Sequence, residues 1–273
     1  MTETLFTDTF EFCSLGSGSS GNSYYIGNGF EGFLIDAGLN GQHLKRNLQS
    51  IGIEIEKIKG IIITHDHIDH IRALNAMTRI YNMPVYATFG TWRGILNNRF
   101  AGNVEHSCHE LIDTKQEFMI AGFTIQAFPV SHDAQEPVGF HITKGDKSLT
   151  LATDIGIIGE SAAHFLKKAN AVILESNYDV EMLINGRYTK ELKNRILGDK
   201  GHLDNMEAAK FIAENYSEKM SHIFLCHLSQ ENNTPELALQ ALHQAIIEKE
   251  VKLHPDTIIH ALPRTHRSDL HNI

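Results

Sequence analysis

The sequence predicts an α+β fold, a four-layer αββα sandwich formed as one domain over residues 1–273. Two observations predict it. Short β-rich runs and amphipathic helical stretches alternate along the whole length, in a β-rich first half and a β-rich second half with helices interspersed. No low-complexity linker and no repeat of solenoid period divides them. A sheet buries each face against another layer, so two such halves pack sheet on sheet with helices outside.

Taken in order, FEFCSL (10–15), SYYIG (23–27) and GFLIDA (32–37) read as successive strands joined by Gly/Ser/Asn turns. GQHLKRNLQSIG (41–52) reads as a helix closed by Gly52. GIIIT (60–64) is a short apolar strand that runs straight into a histidine cluster. IRALNAMTRIYNM (71–83) has helical periodicity, and Pro84 opens the next strand, PVYA. Further strands are expected near 117–128, 138–144, 148–153, 171–175 and 222–226. Helices are expected near 158–168, 204–215 and 235–249.

Composition narrows the function classes. The apolar fraction of 42% is ordinary for a protein with a full core. The opening MTETLFTDTFEF carries acids and no basic-then-apolar leader pattern. No stretch approaches the roughly 18 apolar residues of a membrane span, so no membrane partner is expected. Cys13, Cys108 and Cys226 are too scattered for a disulfide framework, which makes a cytoplasmic location the expectation. A net charge of −9 argues against a surface that coats nucleic acid throughout, and leaves room for a local basic track. Nothing in the sequence specifies an oligomeric state.

HDHIDH (65–70) follows the strand GIIIT and precedes a helix. A loop at a strand's end turns several side chains toward one point while the scaffold holds them rigid. Imidazole and carboxylate suit Zn²⁺, Mn²⁺ or Fe. His65 and His67, two apart, can face one metal; Asp69 and His70, one turn on, can face a second. Four ligand-type residues in six, after a buried-strand pattern, do not read as a merely solvated turn. Other histidines, His43, His141, His222 and His260 among them, lack such companions and read as structural.

HxHxDH resembles the signature of the metallo-β-lactamase superfamily, and SHD (131–133), ATD (152–154) and CHLS (226–229) follow in that family's order. The resemblance implies the metallo-β-lactamase fold and two divalent metal ions, zinc first, with manganese or iron as alternatives. It implies His65, His67, His132 and Asp154 at one ion, and Asp69, His70, Asp154 and His227 at the other. Asp36, in LIDAG, would be an acid behind the ligands that steadies the HDHIDH loop. The best-known zinc β-lactamases use a cysteine among the second set of ligands. Asp154 as the bridging ligand resembles instead the phosphodiesterase, nuclease and thioester-hydrolase branches.

Two further motifs resemble phosphodiester chemistry. His202 in DKGHLDN (199–205) is similar to the proton-donating histidine of ribonuclease Z-like enzymes, and Glu175 in LESNYD (174–179) to the acid that pairs with it. Cleavage of a P–O bond leaves an alkoxide that needs a proton, and an imidazole held by a carboxylate suits that task. The layout also resembles a narrower family, the WalJ (YycJ, VicX) exonuclease-like group. LGSGSSGNSYYI, LIDAGL, THDHIDHI, PVYA followed by TW, SHDA, TDIG, LESNYD, NGRYTKELKNRILGDKGHLDN and CHLSQENNTPELA carry it, over about residues 15–240. Asp204 stands where that pattern has Ser.

The narrower resemblance implies a 5′-to-3′ DNA exonuclease, and the chemistry expected of such a site is an in-line displacement by a hydroxide shared by the two metals. NGRYTKELKNRILGDK (185–200) supplies Arg187, Lys190, Lys193 and Arg195 to neutralise a DNA backbone, RNA not being distinguished, and Tyr188 to stack on a base. The same stretch reads equally as a solvated helix with charge pairs. PRTHRSD (263–269) adds further cations. The Gly/Ser turn GSGSSGN (16–22) reads either as a hairpin turn or as backbone N–H groups for a phosphate.

A small-molecule cyclic phosphodiesterase would need the same groups. A glyoxalase II-type thioester hydrolase shares the ligands but needs neither His202 nor Glu175, because a thiolate leaves without a proton. A regulator that merely keeps the fold usually loses ligands, and all seven are present.

Overall fold

Strand residues alternate between two apolar environments, and that alternation builds the layers. The computed structural model describes residues 9–273, so the opening segment read above for a leader pattern lies in part outside the described residues. In chain order the strands are β1 (Glu11–Gly16), β2 (Ser23–Gly27), β3 (Gly32–Ile35), β4 (Ile58–Ile62), β5 (Val85–Ala87) and β6 (His109–Leu111). They continue with β7 (Glu117–Ile120), β8 (Phe123–Pro129), β9 (Val138–Lys144), β10 (Lys147–Ala152), β11 (Ala171–Glu175), β12 (His222–Cys226), β13 (Ile258–Ala261) and β14 (His271–Asn272).

Two seven-stranded sheets result among the described residues. One has the order β14-β1-β2-β3-β4-β5-β6, the other β13-β12-β11-β10-β9-β8-β7. Each is antiparallel through its consecutive hairpins and turns parallel afterwards, from β3 to β6 and from β10 to β13. Phe12, Tyr24, Ile26, Phe33 and Ile35 of the first sheet meet Ile125, Phe140, Leu149, Ile173 and Phe224 of the second in one buried cluster. Their strand neighbours Cys13, Tyr25, Leu34 and Ile61 face outward beneath α1 (Gly41–Ser50), α3 (Leu74–Tyr81) and α4 (Phe89–Asn97). Val172, Leu174, Ile223 and Leu225 face outward beneath α5 (Glu160–Leu166), α8 (Asn205–Asn215) and α9 (Pro235–Glu248). Each such side chain contributes about 1.5–3 kcal/mol on leaving water. The four-layer αββα sandwich is therefore the observed architecture.

Several boundaries differ from the sequence reading, for local reasons. The expected strand 117–128 is a hairpin of β7 and β8, because Ala121 and Gly122 both take positive φ (50° and 74°), as a two-residue turn between right-twisted strands requires. The helix expected over 71–83 is α2 (Ile68–Ile71), which begins inside HDHIDH, followed by α3, which Asn82 ends at φ 48°. The strand expected over 32–37 stops at Ile35, where Asp36 turns to φ 62°. α4, α6 (Val180–Asn185), β6, β13 and β14 were not expected as elements, and the basic stretch forms α7 (Lys190–Leu197). No helix among the described residues is long and apolar enough to cross a membrane.

Asp204, the departure from the expected Ser, N-caps α8: its carboxylate accepts the Met206 and Glu207 N–H groups at 2.8 and 3.0 Å. Ser and Asp rank together as N-caps, so the exchange keeps the helix start. Asp204→Ala is expected to lower stability by about 1 kcal/mol and Asp204→Ser by only a few tenths, read from the midpoint of urea unfolding.

Candidate metal centre

The chemistry-bearing residues stand at or just past strand ends, most of them those of the parallel strands. Asp36 follows β3, His65 follows β4 by two residues beyond Ile63, His132 lies past β8, Asp154 past β10, Glu175 closes β11, and His227 follows β12. Leu174 pairs with Ala152 and Glu175 with Cys226, so Asp154, Glu175 and His227 emerge from three adjacent strands. Asp36, Asp154 and His227 all take left-handed φ, 62°, 52° and 53°. Such conformations cost about 1–3 kcal/mol each in a non-glycine residue, and they turn these three side chains off the strand direction into the site.

Inside, donor atoms converge. His65, His67 and His132 form one group of possible metal donors, and Asp69, His70 and His227 another. Asp154 lies between them, with Oδ2 3.3 Å from His70 Nε2 and Oδ1 3.3 Å from His227 Nδ1 and 3.8 Å from His132 Nε2. His67 Nδ1 is 3.3 Å from His132 Nε2, and His227 Nε2 is 4.0 Å from the Asp69 carboxylate.

The outer ring nitrogens are held by protein acceptors. His70 Nδ1 donates to Asp36 at 2.8 Å, His132 Nδ1 to the Gly201 carbonyl at 3.0 Å, and His227 Nδ1 to Glu175 at 2.8 Å. His65 Nδ1 meets the Thr64 hydroxyl at 3.0 Å. That pattern fixes the tautomers so that each Nε2 lone pair points inward. The Nε2 atoms of His65 and His227 are buried and have no hydrogen-bond partner in the protein. An unsatisfied buried ring nitrogen is costly, and a cation between the donors would satisfy it. The residues therefore fit a pair of divalent cations.

Asp36 is fully buried and accepts from the Thr64 N–H, the Thr64 hydroxyl and His70, each at 2.8 Å. It thus ties the end of β4 to the ring of His70. The two loops also approach backbone to backbone: the Asn22 and Ala37 N–H groups donate to the Asp69 and His70 carbonyls. A Cβ on Gly38 would stand 1.5 Å from the Asp69 carbonyl oxygen, so only glycine fits there.

Electrostatics follow from burial and these neighbours. Burial, with the imidazole of His70, holds His65 well below the usual histidine range. Burial also lowers His70 and His227, but Asp36 and Asp154 outweigh it at His70, and Asp154 with Glu175 lifts His227 to about 9. Burial raises the Asp154 carboxyl, yet His227 and His70 overcome this and hold it well below its ordinary value. A bound cation would displace the protons of His70 and His227, so metal uptake should release protons.

Glu175 is wholly buried and more connected than the sequence suggested. Its Oε1 accepts from His202 Nδ1 at 2.9 Å as well as from His227 Nδ1, and its Oε2 accepts the Ile155 and Leu203 N–H groups. Burial lowers His202, but Glu175 and then Asp154 outweigh it, so the imidazolium is favoured. Two asparagines were missed in the sequence. Asn22 Nδ2 lies 3.0 Å from His70 Nε2 and 3.4 Å from Asp69, and Asn177 Nδ2 donates to the His227 carbonyl at 2.7 Å. SGN and ESN, each at a strand boundary, were the available signals.

The basic segment divides in use. Arg187 and Lys190 are exposed. Lys193 donates to the Ile184 and Gly186 carbonyls and so caps the end of α6. Arg195 pairs with Asp133, the neighbour of His132. Tyr188 is half-buried against Tyr178, Leu183 and Ile196.

Comparison with known proteins bears on this geometry. The beta-lactamase superfamily domain matches residues 32–223. Exodeoxyribonuclease YycJ of Bacillus anthracis is 37% identical over 238 residues, 87% of this chain and 89% of the relative. Exodeoxyribonuclease WalJ of Streptococcus pneumoniae is 38% identical over 229 residues, 84% of this chain and 85% of the relative. Among solved structures, the metallo-beta-lactamase fold protein YhfI of Bacillus subtilis superposes with a TM-score of 0.68 at 15% identity, covering 98% of this chain and 100% of that one.

Proposed function

We infer the function from one premise: the chain belongs to the beta-lactamase superfamily, in the family of the exodeoxyribonucleases YycJ and WalJ, and is a metal-dependent hydrolase. We propose that it removes nucleotides from the 5′ ends of DNA at a pair of divalent cations, zinc first and manganese as a substitute. His65, His67, His132 and Asp154 would hold one cation, and Asp69, His70, Asp154 and His227 the other. When bound, such a pair lowers the pKa of a shared water toward about 7 and neutralises charge on a phosphate.

The observation that carries the phosphodiester reading is the buried carboxylate shared by His202 and His227. It ties a proton donor to the metal donors. His202, with Nδ1 on Glu175, presents Nε2 for protonating the leaving oxygen. A thioester hydrolase has no use for that pair, because its leaving thiolate needs no proton. Arg187 and Lys190, both exposed in the basic segment, would meet the DNA backbone. Asp36, Asn22 and Asn177 orient ligands and touch no substrate.

The test is time-resolved gel analysis of end-labelled duplex DNA with Mn²⁺ or Zn²⁺ added to the purified protein. Stepwise, metal-dependent shortening from 5′ ends is the expected result. Hydrolysis of bis(p-nitrophenyl) phosphate with DNA left intact would overturn the DNA assignment and favour a small phosphodiester. Shortening from 3′ ends would overturn the polarity alone.

A further inference from the structure

A second groove runs beside the metal centre, and none of the metal or proton-transfer chemistry uses it. It measures about 530 Å³ and is lined by Asp66, Arg93, Gly94, Asn97, Asn98 and Gln135. That volume falls in the range of about 300–1,000 Å³ typical of sites for small ligands. Asp66 stands between His65 and His67, and Gln135 lies three residues past His132, so the groove shares its wall with two loops of the centre.

α4 builds the other wall. Trp92 and Ile95 anchor its inner face, which leaves Arg93 and Asn97, one turn apart, on the outer face. Arg93 Nη2 donates to Gln135 Oε1 at 2.8 Å, and Asp66 accepts the Gln135 N–H at 3.1 Å. A Cβ on Gly94 would lie 2.1 Å from the Asp66 carboxylate, so the helix backbone presses directly on the HDHIDH loop. The loop carrying His132 is thus tied to α4 through Gln135, and to α7 through Asp133 and Arg195. Just past the groove Phe100 is 65% exposed, with the Arg99 guanidinium 4.7 Å from its ring centre. An exposed aromatic, adjacent cations and the amide groups of Asn97, Asn98 and Gln135 along the wall together match an unpaired nucleotide. The ring stacks on a base, the cation meets a phosphate, and amides read polar edges.

We propose that the α4 groove binds the unpaired strand of DNA next to the scissile bond, with Arg93 on a phosphate and Phe100 stacking on a base. This rests on the nuclease reading of the metal centre. Asp66 keeps its carboxylate on the Gln135 N–H and α4, so it serves as a wall and does not touch the strand.

The test compares Phe100→Ala, Phe100→Trp and Arg93→Gln with the unaltered protein, all loaded with Mn²⁺, on DNA carrying a 5′ single-stranded overhang. Phe100→Ala should raise KM about tenfold with kcat little changed, and Phe100→Trp should restore it. Arg93→Gln should lower the slope of log KM against log salt by about 0.7, the value for one single-strand phosphate that is no longer neutralised. Turnover of bis(p-nitrophenyl) phosphate by the same preparations normalises the active fraction. Unchanged KM and salt slope in both Phe100→Ala and Arg93→Gln, while the unaltered protein degrades DNA, would overturn the groove assignment alone. No DNA degradation by the unaltered protein, with the small ester still hydrolysed, would overturn the nuclease reading and the groove with it.

Discussion

Asp154→Ala is expected to strip both cations and to bring turnover below detection. Asp154 is the carboxylate that faces both donor groups: His70 on one oxygen, and His227 and His132 on the other. Removing a group that only orients a ligand already costs about 10–100-fold in metal affinity. Loss of a ligand shared by two cations should cost at least that at each, or about 10²–10⁴ combined. Alanine at φ 52° adds backbone strain, so Asp154→Asn, whose residue type tolerates the left-handed region better, is the companion variant. Metal content by plasma mass spectrometry provides a readout that does not depend on activity. Circular dichroism reports whether the fold survives. Two cations retained per chain in folded Asp154→Ala would remove Asp154 from the centre.

What made the fold legible was two-sided burial. β2, β3, β11 and β12 are buried at every position, so they read as continuous apolar runs between turn residues. The HDHIDH loop was legible because its four donors fall within six residues of the chain. His132, Asp154 and His227 were not legible by position; only the order of motifs in a known family linked residues brought together from three separate strand ends. Elements stabilised by context stayed hidden. α4 contains Gly90 and Gly94, both poor helix formers, and is held by the Thr88 cap and by Trp92 and Ile95 packing inward. β13 and β14 each run along one neighbouring strand and carry little pattern of their own. The second bond from Glu175, to His227, had no signal in the sequence, because it depends on β11 and β12 being adjacent and in register.

His202→Ala is expected to lower kcat on DNA by about 10²–10⁴ while sparing an activated ester, because a general acid matters only when the leaving group cannot depart as an anion. The His202 ring is largely sheltered, its Nδ1 bonded to Glu175 at 2.9 Å and 3.9 Å from Asp154. The neighbouring carboxylates outweigh burial and favour the protonated ring. Bis(p-nitrophenyl) phosphate releases a stabilised phenolate, so its hydrolysis should fall far less than that of DNA. Glu175→Gln should behave differently, since one oxygen serves both His202 and His227. It should weaken the proton donor and also cost about 10–100-fold in metal affinity, and so slow both substrates at limiting metal. Raising the Mn²⁺ concentration should then restore the ester rate in Glu175→Gln and leave the DNA rate depressed. Equal losses on DNA and ester in His202→Ala would mean that this histidine shapes the site without donating the proton. Restoration of both rates by metal in Glu175→Gln would reduce the carboxylate to a support for His227.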